Sequence, residues 1–322
     1  MTRARVLVTR RLPEAVEQRL AASYEVTFNA DDAPLDHAAL TAAMREQDVM
    51  LPTITDRIDA ALLVTPDRSV RLIANYGAGT DHIDLGAARA AGVTVTNTPG
   101  ALTETTAELA ILLMLMAARR AGEGERELRA GRWTGWRPTH LVGSGLTGRS
   151  LGLVGFGRIA QATARRCHAM GMTILYHSRT PASEETEASC AAKRVDSLAA
   201  LAASVDVLSL HVPGGAATAH LIDAKLLAGM KPGAILVNTA RGTVVDERAL
   251  AVALRDGPLA AAGLDVYERE PSVEPALLAC ENAVLLPHLG SATMTARVAM
   301  GMQAAEAIDA FLAGQELTDR VA

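Results

Sequence analysis

The stretch Leu151-Gly152-Leu153-Val154-Gly155-Phe156-Gly157-Arg158-Ile159-Ala160 limits the fold more than any other part of the sequence. It opens as an uninterrupted apolar run, the pattern of a strand buried on both faces of a parallel sheet. Two glycines one residue apart follow, and Arg158 to Met170 then reads as an amphipathic helix stopped by Gly171. Gly155 permits a tight turn, and Gly157 lets the backbone approach a ligand closely. The helix N-terminus offers unpaired N–H groups and a partial positive charge. Strand, glycine turn and helix in that order form a pyrophosphate cradle of the dinucleotide-binding kind. Ala160 takes the third small position, where a methyl group still allows close helix–strand packing. Gly-rich turns are common, so the legible strand and helix on either side carry the reading.

A chain of 322 residues has room for two domains, each able to bury a core. Apolar residues make up 49% and charged residues 21%, the balance of a soluble globular protein. A net charge of −5 points away from nucleic acid or an anionic membrane as partner. The strongest apolar run, between Glu108 and Arg119, is too short to span a bilayer. The start, Met1-Thr2-Arg3-Ala4-Arg5, leads into a strand without a signal-peptide apolar region. Cys167, Cys190 and Cys280 lack metal spacing and pair into no framework, so the sequence predicts no metal site and a reducing, cytoplasmic location.

Short strands are predicted at Arg5–Thr9, Tyr24–Phe28, Asp48–Pro52, Arg71–Asn75 and Val93–Asn97. Helices near Pro13–Ala22, Asp36–Arg45, Asp56–Val64 and Asp84–Ala91 alternate with them, which makes the first hundred residues a small parallel α/β domain. Thr98-Pro99-Gly100 reads as a linker. One long helix is expected from about Thr103 to Ala130, apolar nearly all round in its first part and so buried between domains or subunits. The loop Gly131–Trp136 holds both tryptophans. The central fold starts near Ser150, with further strands at Thr173–His177, Val205–Val212, Ala234–Thr239, Ala260–Val266 and Ala283–Pro287. A last helix, about Thr293 to Leu312, is long enough to pack back on the first domain.

In an NAD-binding fold an acidic residue about twenty positions after the glycines binds the ribose 2′-hydroxyl. Here the second strand ends Leu175-Tyr176-His177-Ser178-Arg179-Thr180, with no carboxylate. Ser178, Arg179 and Thr180 instead offer hydrogen bonds and a fixed charge that suit a 2′-phosphate, so NADP(H) is favoured. The alternative is a solvated Arg179 and NAD(H) as cofactor.

Three further motifs sit at predicted strand ends, where an open α/β sheet binds its ligands. They are Val237-Asn238-Thr239-Ala240-Arg241-Gly242, Gly263-Leu264-Asp265-Val266-Tyr267-Glu268-Arg269-Glu270-Pro271 and Leu285-Leu286-Pro287-His288-Leu289-Gly290-Ser291-Ala292-Thr293. Singly, Arg241 reads as a surface ion-pair residue, Glu270 as a turn residue and His288 as a structural histidine. Together, downstream of a dinucleotide cradle, they match what reduction of a 2-keto acid needs. That reaction needs a fixed cation for the keto-carboxylate and an acid to protonate the new alkoxide. It also needs a carboxylate to orient that acid and raise its pKa.

At this point nearly the whole chain resembles the D-isomer-specific 2-hydroxyacid dehydrogenases. The resemblance rests on Gly155–Ile159, Asn238–Gly242, Asp265…Glu270-Pro271, Pro287-His288 and Asn75-Tyr76-Gly77-Ala78-Gly79-Thr80-Asp81-His82-Ile83-Asp84. It implies that Arg241, Glu270 and His288 are catalytic. Arg241 would hold the substrate's carboxylate and carbonyl, His288 would be the acid in reduction and the base in oxidation, and Glu270 would hydrogen-bond His288. Tyr76, Gly77, Ala78 and Gly79 would give backbone N–H groups to the substrate carboxylate. Cofactor contacts would fall on Thr105, Gly155, Gly157, Arg158, Ile159, Ser178, Arg179, Thr180, His211, Val212, Pro213, Thr218, Thr239, Ala240, Asp265 and Gly290. The implied fold has two parallel-sheet domains, flavodoxin-like and Rossmann-like, with a cleft between them that closes to exclude water. Residues 1–99 and the C-terminal 288–322 would form the substrate domain, and 100–287 the dinucleotide domain. A homodimer would form through the cofactor domain and the long helix, with Trp133–Trp136 either reaching a neighbouring active site or simply packing in the interface.

Within the family, the short chain, the His177–Thr180 loop and the Tyr76–Gly79 turn look like the glyoxylate and hydroxypyruvate reductases, which use NADPH on small 2-keto acids. Formate dehydrogenases fit less well, because a glutamine there commonly replaces the residue that Glu270 matches. A D-3-phosphoglycerate dehydrogenase, or another NAD-linked member, is the alternative enzyme; it would want further cations for a phosphate. The rival from a different class is an NADP(H)-binding sensor or scaffold, which the complete Arg241–Glu270–His288 set disfavours.

Overall fold

The computed structural model describes residues 3–322; Met1 and Thr2 of the N-terminal stretch Met1–Arg5 lie outside the described residues. The chain divides into two compact units, Met1–Leu102 with Ser291–Ala322, and Thr103–Gly290. The changes of unit fall three residues beyond Pro99 and Pro287, so His288 belongs to the larger unit and not with the C-terminal helix.

In the smaller unit the strands are β1 (Arg5–Val8), β2 (Glu25–Phe28), β3 (Val49–Leu51), β4 (Leu72–Ala74) and β5 (Thr94–Thr96). All neighbours are parallel, in the order β2-β1-β3-β4-β5. That is the flavodoxin-like order, and two apolar clusters, one around Met50 and Ile73 and the other around Val8 and Leu72, cover the sheet. The helices are α1 (Glu14–Ser23), α2 (His37–Glu46), α3 (Ala60–Leu63) and α4 (Leu85–Ala90). Asp36, Asp59 and Asp84 cap α2, α3 and α4, each accepting a backbone N–H three residues on. The helix expected over Asp56–Val64 shrinks to α3, because Asp56 folds back to accept from the Thr9 hydroxyl at 2.5 Å and the Thr53 N–H at 2.8 Å. The C-terminal helix Met294–Leu312 packs Met300, Ala304 and Ile308 against Val6, Val8 and Leu72 on one face of this sheet.

The larger unit opens on α5 (Thr103–Ala118) and α6 (Ala121–Arg129), where the sequence predicts one helix. Arg120 breaks it in the left-handed region (φ 52°), its guanidinium held by Glu123 at 2.6 and 2.9 Å. The Ser144 N–H takes the Ala118 carbonyl at 2.8 Å. That tertiary partner, 26 residues away, satisfies a terminal carbonyl that a continuing helix would have used. The sheet has β6 (Ser150–Val154), β7 (Thr173–His177), β8 (Ala192–Arg194), β9 (Val207–Leu210), β10 (Ala234–Asn238), β11 (Leu259–Leu264) and β12 (Ala283–Leu285). Its order, β12-β11-β10-β9-β6-β7-β8, is parallel throughout. This is the Rossmann order with a seventh strand, and its switch point lies between β6 and β9. The remaining helices are α7 (Arg158–Ala169), α8 (Glu184–Cys190), α9 (Leu198–Ser204), α10 (Ala224–Ala228), α11 (Glu247–Arg255) and α12 (Pro275–Leu278). The edge strand β8 escaped the sequence reading, since Ala-Lys-Arg carries no apolar signature and charge is usual on an edge. Apolar clusters cover both faces of the sheet, one around Leu208, Leu236 and Leu250, the other around Leu113, Leu153 and Tyr176.

Candidate active site

The predicted cradle forms at the switch point. Gly155 follows β6 at φ 85°, and its N–H reaches the β7 end at His177 O, 2.8 Å away. A Cβ there would meet His211 O at 2.5 Å, so only glycine fits between the β6 and β9 ends. Gly157 caps α7 without a side-chain hydrogen bond, and a Cβ on it would meet nothing within 4 Å. The first turn of α7, with Arg158 and Ile159, therefore opens onto space, its N–H groups without a partner among the described residues and available to an anion, while Ala160 is fully buried beneath. A dinucleotide pyrophosphate fits this cradle.

At the end of β7 the Ser178 hydroxyl donates to Thr180 O at 2.6 Å and so shapes the loop, while Arg179 and Thr180 are exposed. Beyond β9, His211 pairs with the Ser209 hydroxyl at 2.9 Å, and burial pushes its imidazole down to about 4. It is neutral at physiological pH. Val212 and Pro213 follow, and Thr218 donates back to Pro213 O at 2.7 Å, closing that loop. Thr105 lies in the first turn of α5.

Three loops converge after β10, β11 and β12. Asn238, 1% exposed, ends β10; its amide accepts from the Ala240 N–H at 3.0 Å and donates to Arg241 O at 2.9 Å. That turn presents Arg241, whose Nη1 donates to Ala240 O at 2.8 Å. The buried Thr239 hydroxyl has no partner among the described residues, which suits a ligand at this strand end. After β11, Asp265 is 1% exposed and accepts from the N–H groups of Leu289 at 2.6 Å and Gly290 at 2.8 Å. Burial raises its pKa, and those two N–H groups with the His288 charge offset only part of the rise. Both oxygens are thus committed to the loop after β12, which Asp265 shapes together with its own carbonyl, bonded to the His288 N–H at 2.9 Å.

His288 sits in the left-handed region (φ 55°), an uncommon conformation that the Asp265 bonds on either side maintain. Its Nδ1 lies 2.8 Å from Glu270 Oε2, and Glu270 Oε1 accepts from the Tyr267 N–H at 3.0 Å. Burial pushes the Glu270 carboxyl up, but the His288 hydrogen bond and charge, the Tyr267 N–H and the Arg241 charge outweigh it, so its pKa is lowered. A carboxylate can only accept, so Nδ1 carries the hydrogen toward Glu270 and Nε2 is left for acid–base exchange. Arg241, Glu270 and His288 are thereby brought together.

The motif residues Gly242 and Glu268 have supporting contacts that the sequence did not predict, and Glu247, Glu274 and Thr106, outside the motifs, add others. Gly242 packs against the Tyr267–Glu268 backbone with no room for a Cβ. Buried Glu247 accepts from the Glu268 and Glu274 N–H groups at 2.8 and 3.3 Å, and Glu268 accepts from the Glu247 N–H at 3.0 Å. Thr106 donates to Gly290 O at 3.1 Å. Of these supports, Asn238 at a strand end and Gly242 after the arginine lay in a motif legible in the sequence.

The Tyr76–Gly79 turn lies in the smaller unit and offers fewer donors than expected. The Tyr76 N–H bonds Pro52 O and the Gly77 N–H bonds Asn75 O, both at 2.9 Å. Among the described residues only the Ala78 and Gly79 N–H groups of the four lack a protein partner. Asn75, fully buried, shapes the turn by donating to the Gly77 and Gly79 carbonyls at 2.9 Å each, and His82 Nε2 lies 2.9 Å from its Oδ1.

The chain is similar to known proteins over nearly its whole length. Residues 111–290 match the family described as "D-isomer specific 2-hydroxyacid dehydrogenase, NAD binding domain". The chain is 43% identical to a glyoxylate reductase of Thermococcus litoralis, over 97% of this chain and 94% of that protein. It is 38% identical to a glycerate dehydrogenase of Hyphomicrobium methylovorum, over 99% of each. The crystal structure of an NADPH-dependent glyoxylate/hydroxypyruvate reductase from Sinorhizobium meliloti, in complex with NADP and malonate, superimposes with a TM-score of 0.88 at 37% identity, covering 100% of this chain and 97% of that one. The two all-parallel sheets are those of this fold, and the chain belongs to the D-isomer-specific 2-hydroxyacid dehydrogenase family of nicotinamide-dependent oxidoreductases.

Proposed function

We propose that the protein reduces the small 2-keto acids glyoxylate and hydroxypyruvate to D-2-hydroxy acids and prefers NADPH. The observation that carries this reading is the His288–Glu270 pair at 2.8 Å, with the Arg241 charge acting on the same carboxylate. A bound reduced nicotinamide supplies the hydride. His288 delivers a proton from Nε2 to the carbonyl oxygen as negative charge develops there, and takes one back in oxidation. Glu270 holds the ring and balances the imidazolium. Arg241 grips the keto-carboxylate with its planar donors and polarises the carbonyl. The Ala78 and Gly79 N–H groups are donors to a carboxylate.

For the cofactor, Gly155, Gly157, Arg158 and Ile159 would hold the pyrophosphate, and Ser178, Arg179 and Thr180 the 2′-phosphate. His211, Val212, Pro213, Thr218, Thr239, Ala240, Asp265, Gly290 and Thr105 would line the rest of its site. The names of the relatives from Thermococcus litoralis and Sinorhizobium meliloti support the substrate class, and the NADP bound in the latter supports the cofactor. We also propose a homodimer built on the larger unit, where Leu112, Leu115, Leu128, Trp133, Trp136 and Val142 are exposed on the single chain. Cys167 and Cys190, buried as free thiols, suit a reducing cytoplasm. No helix among the described residues is long and apolar enough to cross a membrane.

The test is initial-rate oxidation of NADPH, and separately of NADH, with glyoxylate, hydroxypyruvate, pyruvate and 3-phosphohydroxypyruvate. Fast NADPH-dependent turnover of either of the first two is expected. Turnover confined to the phosphorylated substrate, or to NADH, overturns the corresponding half of the proposal.

A further inference from the structure

The edge strand β8 ends on an arginine that no motif singled out. Arg194 lies opposite Tyr176 in the β7–β8 ladder, one strand over from the loop Ser178–Thr180. Its backbone surroundings are held on the β7 side: the Val195 N–H bonds Tyr176 O at 2.8 Å, and His177 donates from Nδ1 to Val195 O at 2.9 Å. The guanidinium is poorly satisfied. Nη2 reaches Ser178 O only at 3.5 Å, and Nη1 reaches Asp196 only at 3.5 Å. Nε is buried with no partner among the described residues. The Asp196 carboxylate is fully exposed, so solvent screens its charge, while the arginine side chain is 31% exposed.

A buried, unpaired guanidinium N–H calls for an explanation, because such donors are nearly always satisfied in a folded protein. The second strand of a dinucleotide domain ends where the adenosine ribose 2′-position lies. Here that end carries no carboxylate, and Arg194 Nη2 lies 3.5 Å from the carbonyl of its first loop residue, Ser178. A planar, permanently charged fork with weakly engaged donors matches a phosphate dianion. Arg179, on the same loop, is exposed and free to adapt, whereas Arg194 is fixed by the strand from which it projects.

We infer that Arg194 is a second contact to the cofactor's 2′-phosphate and sets NADPH preference together with Arg179. This rests on the NADPH reading above. The experiment measures dissociation constants for NADPH, NADH, adenosine 2′,5′-bisphosphate and 5′-AMP by calorimetry, on the wild type and on Arg194→Gln, Arg194→Lys and Arg179→Ala. Loss of hydrogen bonds to a charged group predicts that Arg194→Gln weakens NADPH and the bisphosphate by roughly 10- to 100-fold and leaves NADH and 5′-AMP within about threefold. Arg194→Lys keeps the charge without the fork and should show a smaller loss of the same kind; it serves as the test if the glutamine variant does not fold. Equal losses for both cofactors, or none, with Arg179→Ala still selective against NADPH, overturn the role of Arg194 and leave the cofactor reading standing. Equal wild-type affinity for NADPH and NADH overturns both.

Discussion

Gly242→Ala tests how closely the Arg241 loop must approach the segment that carries Glu270. A Cβ at this position would fall 1.8 Å from the Tyr267 carbonyl carbon, 2.1 Å from its oxygen and 2.3 Å from the Glu268 nitrogen. Non-bonded carbons settle at about 3.5–4.0 Å, so the two backbones would have to separate by about 2 Å. Gly242 is not at positive φ, so what it supplies is clearance rather than an unusual conformation. Neither side yields readily. The Arg241 loop is tied by both functions of the Asn238 amide, and the Glu268 segment by the reciprocal bonds with Glu247. Overpacking of this kind costs about 1–3 kcal/mol or more, roughly 3–10 °C in melting temperature for a unit of this size. Catalysis should suffer more, because about 1 Å of misplacement costs on the order of 100-fold. The assay is kcat/KM for glyoxylate beside a thermal melt, with Gly145→Ala as control, since a Cβ there meets nothing within 4 Å. Wild-type turnover and melting in Gly242→Ala would refute the claim that this close approach aligns Arg241 with Glu270.

Two further outcomes depend on ionisation. Glu270→Gln keeps the shape but removes the anion beside His288, and reductive kcat should fall by about 10- to 100-fold with little change in NADPH affinity; unchanged kcat would end the orienting role. Because the native Glu270 pKa is lowered, its stabilising contribution is complete above its ordinary value of 4.5 and is lost as pH falls through the native value, so the variant's melting should respond less to acid in that range. His211 works in a higher window. Unfolded, it binds a proton near 6.5, but in the native state only near 4, so stability falls as pH drops between those values, by up to about 3 kcal/mol. His211→Gln should flatten that acid slope in urea melts, and an unchanged slope would show that other groups govern it.

The alternation of strands and helices, the dinucleotide cradle and the three motifs that carry Arg241, Glu270 and His288 were readable from the amino-acid order alone. These were legible because each is written locally: an apolar run, a glycine turn, a polar residue at a strand end. Tertiary structure decided what depends on distant partners. The break at Arg120 needs Ser144 to take the Ala118 carbonyl, and the retreat of Asp56 from a helix needs Thr9. Among the described residues the Tyr76–Gly79 turn keeps two unpartnered N–H groups rather than four, because Pro52 and Asn75 take the others. Strand β8, and with it the place of Arg194, forms because β7 supplies the ladder that Ala-Lys-Arg alone would not seek. The pairing of His288 with Glu270 depends likewise on Asp265, Glu247 and Gly242, whose contacts span up to 27 residues of chain and leave no periodic trace in it.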